Sequence, residues 1–179
     1  MKNLEIYIHI PFCVRKCEYC DFLSFPADDD AKLRYVKGLM AEMIFYGPLM
    51  KNYQVSSVYI GGGTPSSIDE QWIAALMEGV FDCFNVLPDA EISRECNPGT
   101  LSREKLLAYR DAGINRLSIG LQSANNDELK LLGRIHTFEQ FVTNYEVARN
   151  VGFKNINVDL MYGLPGQSAS QHMATVNKI

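Results

Sequence analysis

Short apolar segments alternate along this chain with longer segments whose apolar residues recur at helical spacing. Five short segments are predicted to be strands, at residues 4–10, 55–60, 90–96, 115–121 and 155–162. Helices are predicted over 28–46, 68–84, 102–112, 125–132 and 138–150, and a further helix is predicted to begin near Ser168. Strands that alternate with helices indicate an α/β fold with a parallel sheet and helices packed outside it.

Residues that suit helix termini stand where this pattern requires them. The acidic run Asp28-Asp29-Asp30 opens the first predicted helix. Gly113 and Gly152 each follow a predicted helix and precede a predicted strand, as expected of glycines at helix carboxyl ends. The boundaries are therefore supported by end signals as well as by periodicity.

Polar and glycine-rich features follow the predicted strands, one feature to each strand. A cysteine-rich loop follows the first strand and a glycine run, 61–63, follows the second. Glu95 ends the third strand, Gln122 follows the fourth, and Asp159 lies near the end of the fifth. Ligands of parallel α/β sheets bind at the carboxyl ends of the strands. These features therefore predict one site at that edge of the sheet.

The cysteine-rich loop carries Cys13, Cys17 and Cys20 in a Cys-x-x-x-Cys-x-x-Cys arrangement. Iron–sulfur clusters are held by closely spaced cysteine thiolates, normally four, so three suggest a cubane cluster with one open iron. An open coordination position is where a substrate or cofactor binds in catalytic metal sites. The alternatives are a zinc knuckle or three incidental thiols.

Composition narrows the class of protein. The 179 residues are 47% hydrophobic and 21% charged, which is typical of one soluble globular domain. The net charge of −4 shows no excess of basic residues, so the composition does not suggest nucleic-acid binding. Charged residues near the start and the lack of a long apolar run predict a cytoplasmic protein with no membrane anchor. Three of the five cysteines share one loop, which fits a reducing compartment better than a disulfide framework.

Six sequence blocks, in this order, resemble those of radical S-adenosylmethionine (SAM) proteins. They are Tyr7-Ile8-His9-Ile10-Pro11-Phe12-Cys13 with Cys17, Tyr19 and Cys20; Gly61-Gly62-Gly63-Thr64-Pro65-Ser66; Glu95 before Asn97-Pro98-Gly99; Ser118-Ile119-Gly120-Leu121-Gln122-Ser123; Gly133-Arg134-Ile135-His136; and Asp159-Leu160-Met161-Tyr162-Gly163-Leu164-Pro165-Gly166-Gln167. The branch they resemble is that of oxygen-independent coproporphyrinogen III oxidase and the heme chaperones of the HemW type. The resemblance implies a partial (β/α)6 barrel, with residues 1–179 as a radical SAM core domain that holds about five units and lacks the sixth unit and the carboxyl-terminal domain.

The resemblance also implies the cofactors and the residues that bind them. Cys13, Cys17 and Cys20 would ligate a [4Fe-4S] cluster, and its open iron would take the amino and carboxylate groups of SAM. An electron from a donor such as a flavodoxin or ferredoxin would then yield a 5′-deoxyadenosyl radical. The SAM contacts carried over are Tyr7, Tyr19, Gly62, Gly63, Thr64, Glu95, Gln122, Arg134 and Asp159. From the residues alone, Tyr7 could equally be a core aromatic, and the polar residues could be structural or surface groups.

Two places decide how close the resemblance is. Arg94 and Cys96 stand where the family has an apolar and a small residue, so the outer face of the third strand is unusual. Phe22 stands where the decarboxylating oxidases carry a further cysteine, which favours the heme-chaperone branch. That branch would bind heme, as a further cofactor, and pass it to an acceptor protein. The alternatives are an oxidase that decarboxylates porphyrinogen propionates and an inactive fragment, so enzymatic activity stays open.

Overall fold

The computed structural model describes residues 2–179, which form alternating strands and helices. In chain order these are β1 (Lys2–Ile10), α1 (Asp29–Tyr46), β2 (Tyr53–Gly62), α2 (Glu70–Cys83), β3 (Val86–Cys96), α3 (Arg103–Asp111), β4 (Arg116–Gln122), α4 (Asn126–Leu131), α5 (Phe138–Asn150), β5 (Asn155–Leu160) and α6 (Ala169–Val176). Every predicted strand and helix is present, with bounds that differ by a few residues. In residues 2–179, none of the helices has both the length and the hydropathy that crossing a bilayer requires.

The five strands form one sheet in the order β1-β2-β3-β4-β5, and every pair of neighbours is parallel. The predicted α/β class and parallel sheet are therefore confirmed. Because all neighbouring strands are parallel, all five carboxyl ends lie at one edge of the sheet. The loops that follow the strands are thereby brought together at that edge.

The two faces of the sheet differ in character. On the outer face Ile8, Ile10 and Ile60 are almost fully buried and join the apolar core that the helices cover. On the inner face the alternate positions are polar, as Tyr7 and Tyr59 illustrate. This period-two alternation places the apolar core outside the curved sheet and leaves a polar interior for the site.

Helix ends explain most of the differences in bounds. Asp28 caps α1 by accepting a hydrogen bond from the Ala31 amide at 2.7 Å. The predicted helix start at Ile68 is wrong, because Ile68 is extended and fully buried and Asp69 caps α2 instead. Gly113 (φ 88°) and Gly152 (φ 101°) follow α3 and α5 in the left-handed conformation, as predicted from their positions.

The outer face of β3 is exceptional, as the sequence indicates. Arg94 and Cys96 lie in the otherwise apolar layer between the sheet and the helices. Burial raises the pKa of the Cys96 thiol to about 12, so this thiol stays protonated at neutral pH. Cys96 is thus a core residue with an inert thiol.

Candidate functional site

The cysteine loop begins at the end of β1 and is closed at its base by the backbone. Phe12 and Phe25 form an isolated parallel bridge, and their rings pack edge to face with centroids 5.8 Å apart. The Cys13 amide donates to the Phe25 carbonyl at 3.1 Å, and the Phe25 amide donates to the Pro11 carbonyl at 2.9 Å. The loop ends are therefore held next to the sheet edge without any contribution from a thiol.

All three predicted cluster ligands line one cavity at this edge. In residues 2–179, no three His, Cys, Asp or Glu side chains converge as a single metal ion would require. In an iron–sulfur cluster each cysteine binds a different iron, so three thiols around one cavity are a suitable set of ligands. The donor set therefore fits an iron–sulfur cluster.

Two hydrogen-bond donors point at the cysteine sulfurs. The Thr64 hydroxyl donates to Cys13 Sγ at 3.4 Å, and Arg134 Nη1 lies 3.7 Å from Cys17 Sγ. Donors of this kind stabilise thiolates and tune the potential of a bound cluster. Arg134 also carries a buried Nε with no partner among the described residues, so its guanidinium has capacity left for a ligand.

The glycine run that follows β2 allows the cysteine loop to pack against the sheet edge. A Cβ atom built on Gly63 would lie 2.8 Å from the Phe12 carbonyl oxygen and 2.9 Å from Cys13 Sγ. Gly62 has φ 123°, which side chains disfavour. The run therefore serves close backbone approach between the two loops that line the cavity.

Gly63→Ala is expected to destabilise the protein by ~1–3 kcal/mol, because the added methyl group has no space beside Cys13. Gly38→Ala is the matched control, since a Cβ on this exposed α1 residue would have no neighbour within 4 Å. That control is expected to stabilise the protein by ~0.5–1 kcal/mol through its helix propensity. Urea unfolding of both apoproteins measures the difference, and equal midpoints would contradict the close packing.

Glu95 is held at the end of β3 with its carboxylate facing the cavity. It accepts hydrogen bonds from the Tyr59 hydroxyl at 2.8 Å and from the Gly62 amide at 3.1 Å. Burial and the hydrogen bond to Glu95 raise the pKa of Tyr59, so this phenol remains a donor. A carboxylate oriented by two donors suits a cationic or hydroxyl group of a ligand.

The ends of β4 and β5 complete the wall of the cavity. Gln122 has φ 75° and is the one non-glycine residue with positive φ among residues 2–179, a strained conformation of the kind found at ligand sites. Arg134 Nη2 donates to the Gly120 carbonyl at 2.6 Å, which fixes its guanidinium beside Tyr19. Asp159 accepts from the Ser118 hydroxyl at 3.1 Å.

The predicted site residues thus come together, with one exception. The cavity is lined by Cys13, Cys17, Tyr19, Cys20, Gly62, Gly63, Thr64, Glu95, Gln122, Arg134 and Asp159. Tyr7 lies outside this cavity on the inner face of β1, 59% exposed, with its hydroxyl 3.1 Å from His9 Nδ1 and its ring stacked on Tyr59. The alternative that Tyr7 is a core aromatic is therefore wrong.

Two further residues of the site had no role predicted from the sequence: Ser118 was named only as part of a sequence block, and Tyr59 was not named. Tyr59 orients Glu95 and Ser118 orients Asp159, yet neither stands at the end of its strand. Both lie on the polar inner face, so extending the period-two alternation across neighbouring strands could have found them. His136, from the Gly133-Arg134 block, is buried, and burial lowers its pKa to about 4, so it is a neutral structural group near Arg134.

Comparisons with known proteins agree with this arrangement. Residues 7–179 match the model of the Radical SAM superfamily. The chain is 38% identical to the heme chaperone HemW of Escherichia coli (strain K12), over 98% of this chain and 47% of that protein. It is 39% identical to HemW of Bacillus subtilis (strain 168), over 96% of this chain and 45% of that protein. The chain spans about half the length of the curated relatives it matches.

A solved structure supports the same conclusion. The structure of coproporphyrinogen III oxidase (HemN) from Escherichia coli, a radical SAM enzyme, superposes with a TM-score of 0.91 at 32% identity. The match covers 99% of this chain and 41% of that one. Family membership implies a [4Fe-4S] cluster and SAM, and the cavity offers three thiols and a set of polar groups that fit both. On its sequence and its fold, this chain belongs to the radical SAM superfamily.

Proposed function

We propose that this chain is the cluster- and SAM-binding core of a heme chaperone of the HemW type, which binds heme and transfers it to an acceptor protein. Six relatives that carry the name heme chaperone HemW support this function. Each is 35–39% identical to this chain over 92–99% of its residues. An electron donor of the flavodoxin or ferredoxin class would serve the cluster. The proposed function therefore includes three partners: heme, the protein that accepts heme and the electron donor of the cluster.

The observation that carries this proposal is the side chain at Phe22. It lines the cavity beside the three cysteines and is 64% exposed, so a thiol at this position would face the cofactors directly. The family resemblance implies a further cysteine at this position in the decarboxylating oxidases. The remaining thiols offer no substitute, because Cys83 lies on α2 and Cys96 is buried and protonated. The cysteine loop therefore has the residue typical of the chaperone branch.

The residues of the cavity would divide the work between the two cofactors. Cys13, Cys17 and Cys20 would hold the cluster, while Glu95 and Asp159 would orient cationic and hydroxyl groups of SAM and Arg134 its carboxylate. When bound, the reduced cluster would supply one electron to SAM, which would break its sulfonium C–S bond and give methionine and a 5′-deoxyadenosyl radical. The surrounding chain would exclude water and fix the orientation of SAM.

A second function is the oxidative decarboxylation of coproporphyrinogen III. It is favoured by the TM-score of 0.91 with HemN, which extends over the whole candidate site. An enzyme that uses the radical and a chaperone that only binds SAM need the same SAM-binding groups. The two functions differ in what is done to the porphyrin, so product formation decides between them.

The deciding experiment uses the full-length protein, reconstituted anaerobically with reductant, SAM and coproporphyrinogen III. Chromatography of this sample is expected to show no protoporphyrinogen. In a parallel sample, absorbance is expected to show that the protein binds heme stoichiometrically. Protoporphyrinogen formation above that of a variant with Cys13, Cys17 and Cys20 changed to alanine would overturn the chaperone and support the oxidase. A protein that forms no product and binds no heme would support the third alternative from the sequence, an inactive fragment.

A further inference from the structure

Arg94 is the most deeply buried charged side chain of residues 2–179, with an exposed fraction of 0%. Its guanidinium carbon lies 3.8 Å from the centroid of the Tyr109 ring on α3. Nη2 donates to the Pro65 carbonyl at 2.6 Å, while Nε and Nη1 have no partner among the described residues. The side chain therefore makes one strong hydrogen bond and leaves most of its donors unsatisfied.

An arginine in this position is unfavourable for stability alone. A buried cation without a carboxylate partner is poorly solvated, and each unpaired buried donor adds a desolvation cost. Burial accordingly lowers the pKa of Arg94. An apolar side chain of similar length, such as methionine, would fill the same space against Tyr109 without these costs. Besides its contact with the Tyr109 ring, what an arginine adds over methionine at this position is the hydrogen bond to the Pro65 carbonyl.

The group that it holds is the segment just after the glycine run. Pro65 follows Thr64, whose amide donates to the Phe12 carbonyl at 2.8 Å and whose hydroxyl donates to Cys13 Sγ. The Pro65 carbonyl also accepts from the Ile68 amide at 3.3 Å, which forms a short turn. The hydrogen bond from Arg94 thus fixes the turn that places Thr64 against the cysteine loop.

Neighbouring residues of β3 hold this segment from opposite sides. Glu95 points to the inner face and accepts from the Gly62 amide, while Arg94 points to the outer face and donates to the Pro65 carbonyl. Because adjacent strand residues point to opposite faces, one strand end fixes both ends of the glycine–threonine segment. Lys105 of α3 supports the same turn through the Ser66 carbonyl at 2.9 Å.

We propose that Arg94 is a positioning residue for SAM, which acts through the Pro65 carbonyl to hold Gly62, Gly63 and Thr64 in the conformation that binds this cofactor. This inference rests on the proposed role of these three residues in SAM binding. The charge of Arg94 then increases the affinity for SAM and does not increase the stability of the apoprotein.

The test compares Arg94→Met with the wild type in two measurements on the full chain. In thermal unfolding of the apoprotein, the midpoint is expected to be unchanged or to rise by about 2–4 °C, because the unpaired buried charge is gone. In equilibrium binding of SAM to the anaerobically reconstituted protein, the dissociation constant is expected to increase about tenfold, as loss of one charge-assisted hydrogen bond predicts.

Two further variants separate positioning from packing. Arg94→Lys keeps a charged donor for the Pro65 carbonyl, so it is expected to recover SAM affinity to within about threefold of the wild type. Tyr109→Phe keeps the ring under the guanidinium and removes only a buried hydroxyl that has no partner among the described residues. Its SAM affinity is expected to match the wild type within about twofold, because the Pro65 contact is untouched.

Each other outcome overturns the inference. An Arg94→Met protein that fails to fold, or whose midpoint falls, would show that the charge serves stability. An Arg94→Met protein that binds SAM within about twofold of the wild type would show that the hydrogen bond to Pro65 does not matter for the cofactor. A wild-type protein that binds no SAM would refute the assignment of the site to SAM, and the inference would fail with it. This failure differs from the first two because it is seen in the wild type and not only in Arg94→Met.

Discussion

Replacement of Cys13, Cys17 and Cys20 together by alanine is expected to leave less than about one iron per chain after anaerobic reconstitution, against about four in the wild type. The reason is that these three thiols line the cavity, and Cys96, which also borders it, cannot replace them because burial raises the pKa of its thiol to about 12 and keeps it protonated. Iron and acid-labile sulfide assays, with the visible absorbance of the cluster, measure the loss.

Cys83→Ala provides the matched control, because it also removes a cysteine but from α2, away from the cavity. Its iron content is expected to equal that of the wild type. The triple variant should still give the far-ultraviolet circular dichroism of a folded α/β protein, so that loss of iron reports on ligands and not on unfolding. A full cluster in the triple variant would refute the ligand assignment.

Glu95→Gln is expected to weaken SAM binding about 30-fold, which corresponds to ~2 kcal/mol. The change removes the negative charge that faces the cavity. The Gly62 amide can only donate, so the carbonyl oxygen of the new glutamine would have to face it and the NH2 group would have to face the Tyr59 hydroxyl. The Tyr59 hydroxyl would then have to turn from donor to acceptor, and its proton would lose its present partner. Equilibrium binding of SAM to the reconstituted protein measures the effect.

The control for this prediction is Glu91→Gln, on the same strand and the same face. Glu91 accepts from the Ser93 hydroxyl at 2.8 Å and forms an exposed ion pair with Arg116, and it lies outside the cavity. The same change of charge there is expected to alter SAM affinity by less than about twofold, because a surface ion pair contributes little. If both variants lose affinity equally, the effect is one of net charge and the specific role of Glu95 is wrong.

Most of the architecture follows from local patterns in the sequence. Periodicity and end signals such as Asp28 and Gly113 are properties of a few consecutive residues, so the order of strands and helices is predictable from them. Because ligands bind at the carboxyl ends of parallel strands, the strand order alone predicts that Cys13, Glu95 and Asp159 meet at one edge. The cavity contains all three.

What the sequence could not provide is the pairing of side chains between strands. Tyr59 contacts Glu95 because β2 and β3 pair in a particular register, and irregular pairing occurs between Val55 and Ser57 on the way. A shift of one residue would turn every side chain to the other face, and local patterns do not contain such irregularities. The left-handed conformation of Gln122 has the same origin, since β4 and β5 pair irregularly between Gly120 and Gln122.

Closure of the cysteine loop by Pro11, Phe12 and Phe25 separates the folding of this protein from the loading of its metal. In zinc fingers the metal ligands are themselves the contacts that fold the chain, so the apoprotein is unfolded. Here the loop base is joined by backbone hydrogen bonds and by aromatic packing, neither of which involves sulfur. We therefore expect the apoprotein to fold without its metal, so that the cluster is inserted into a chain that is already folded.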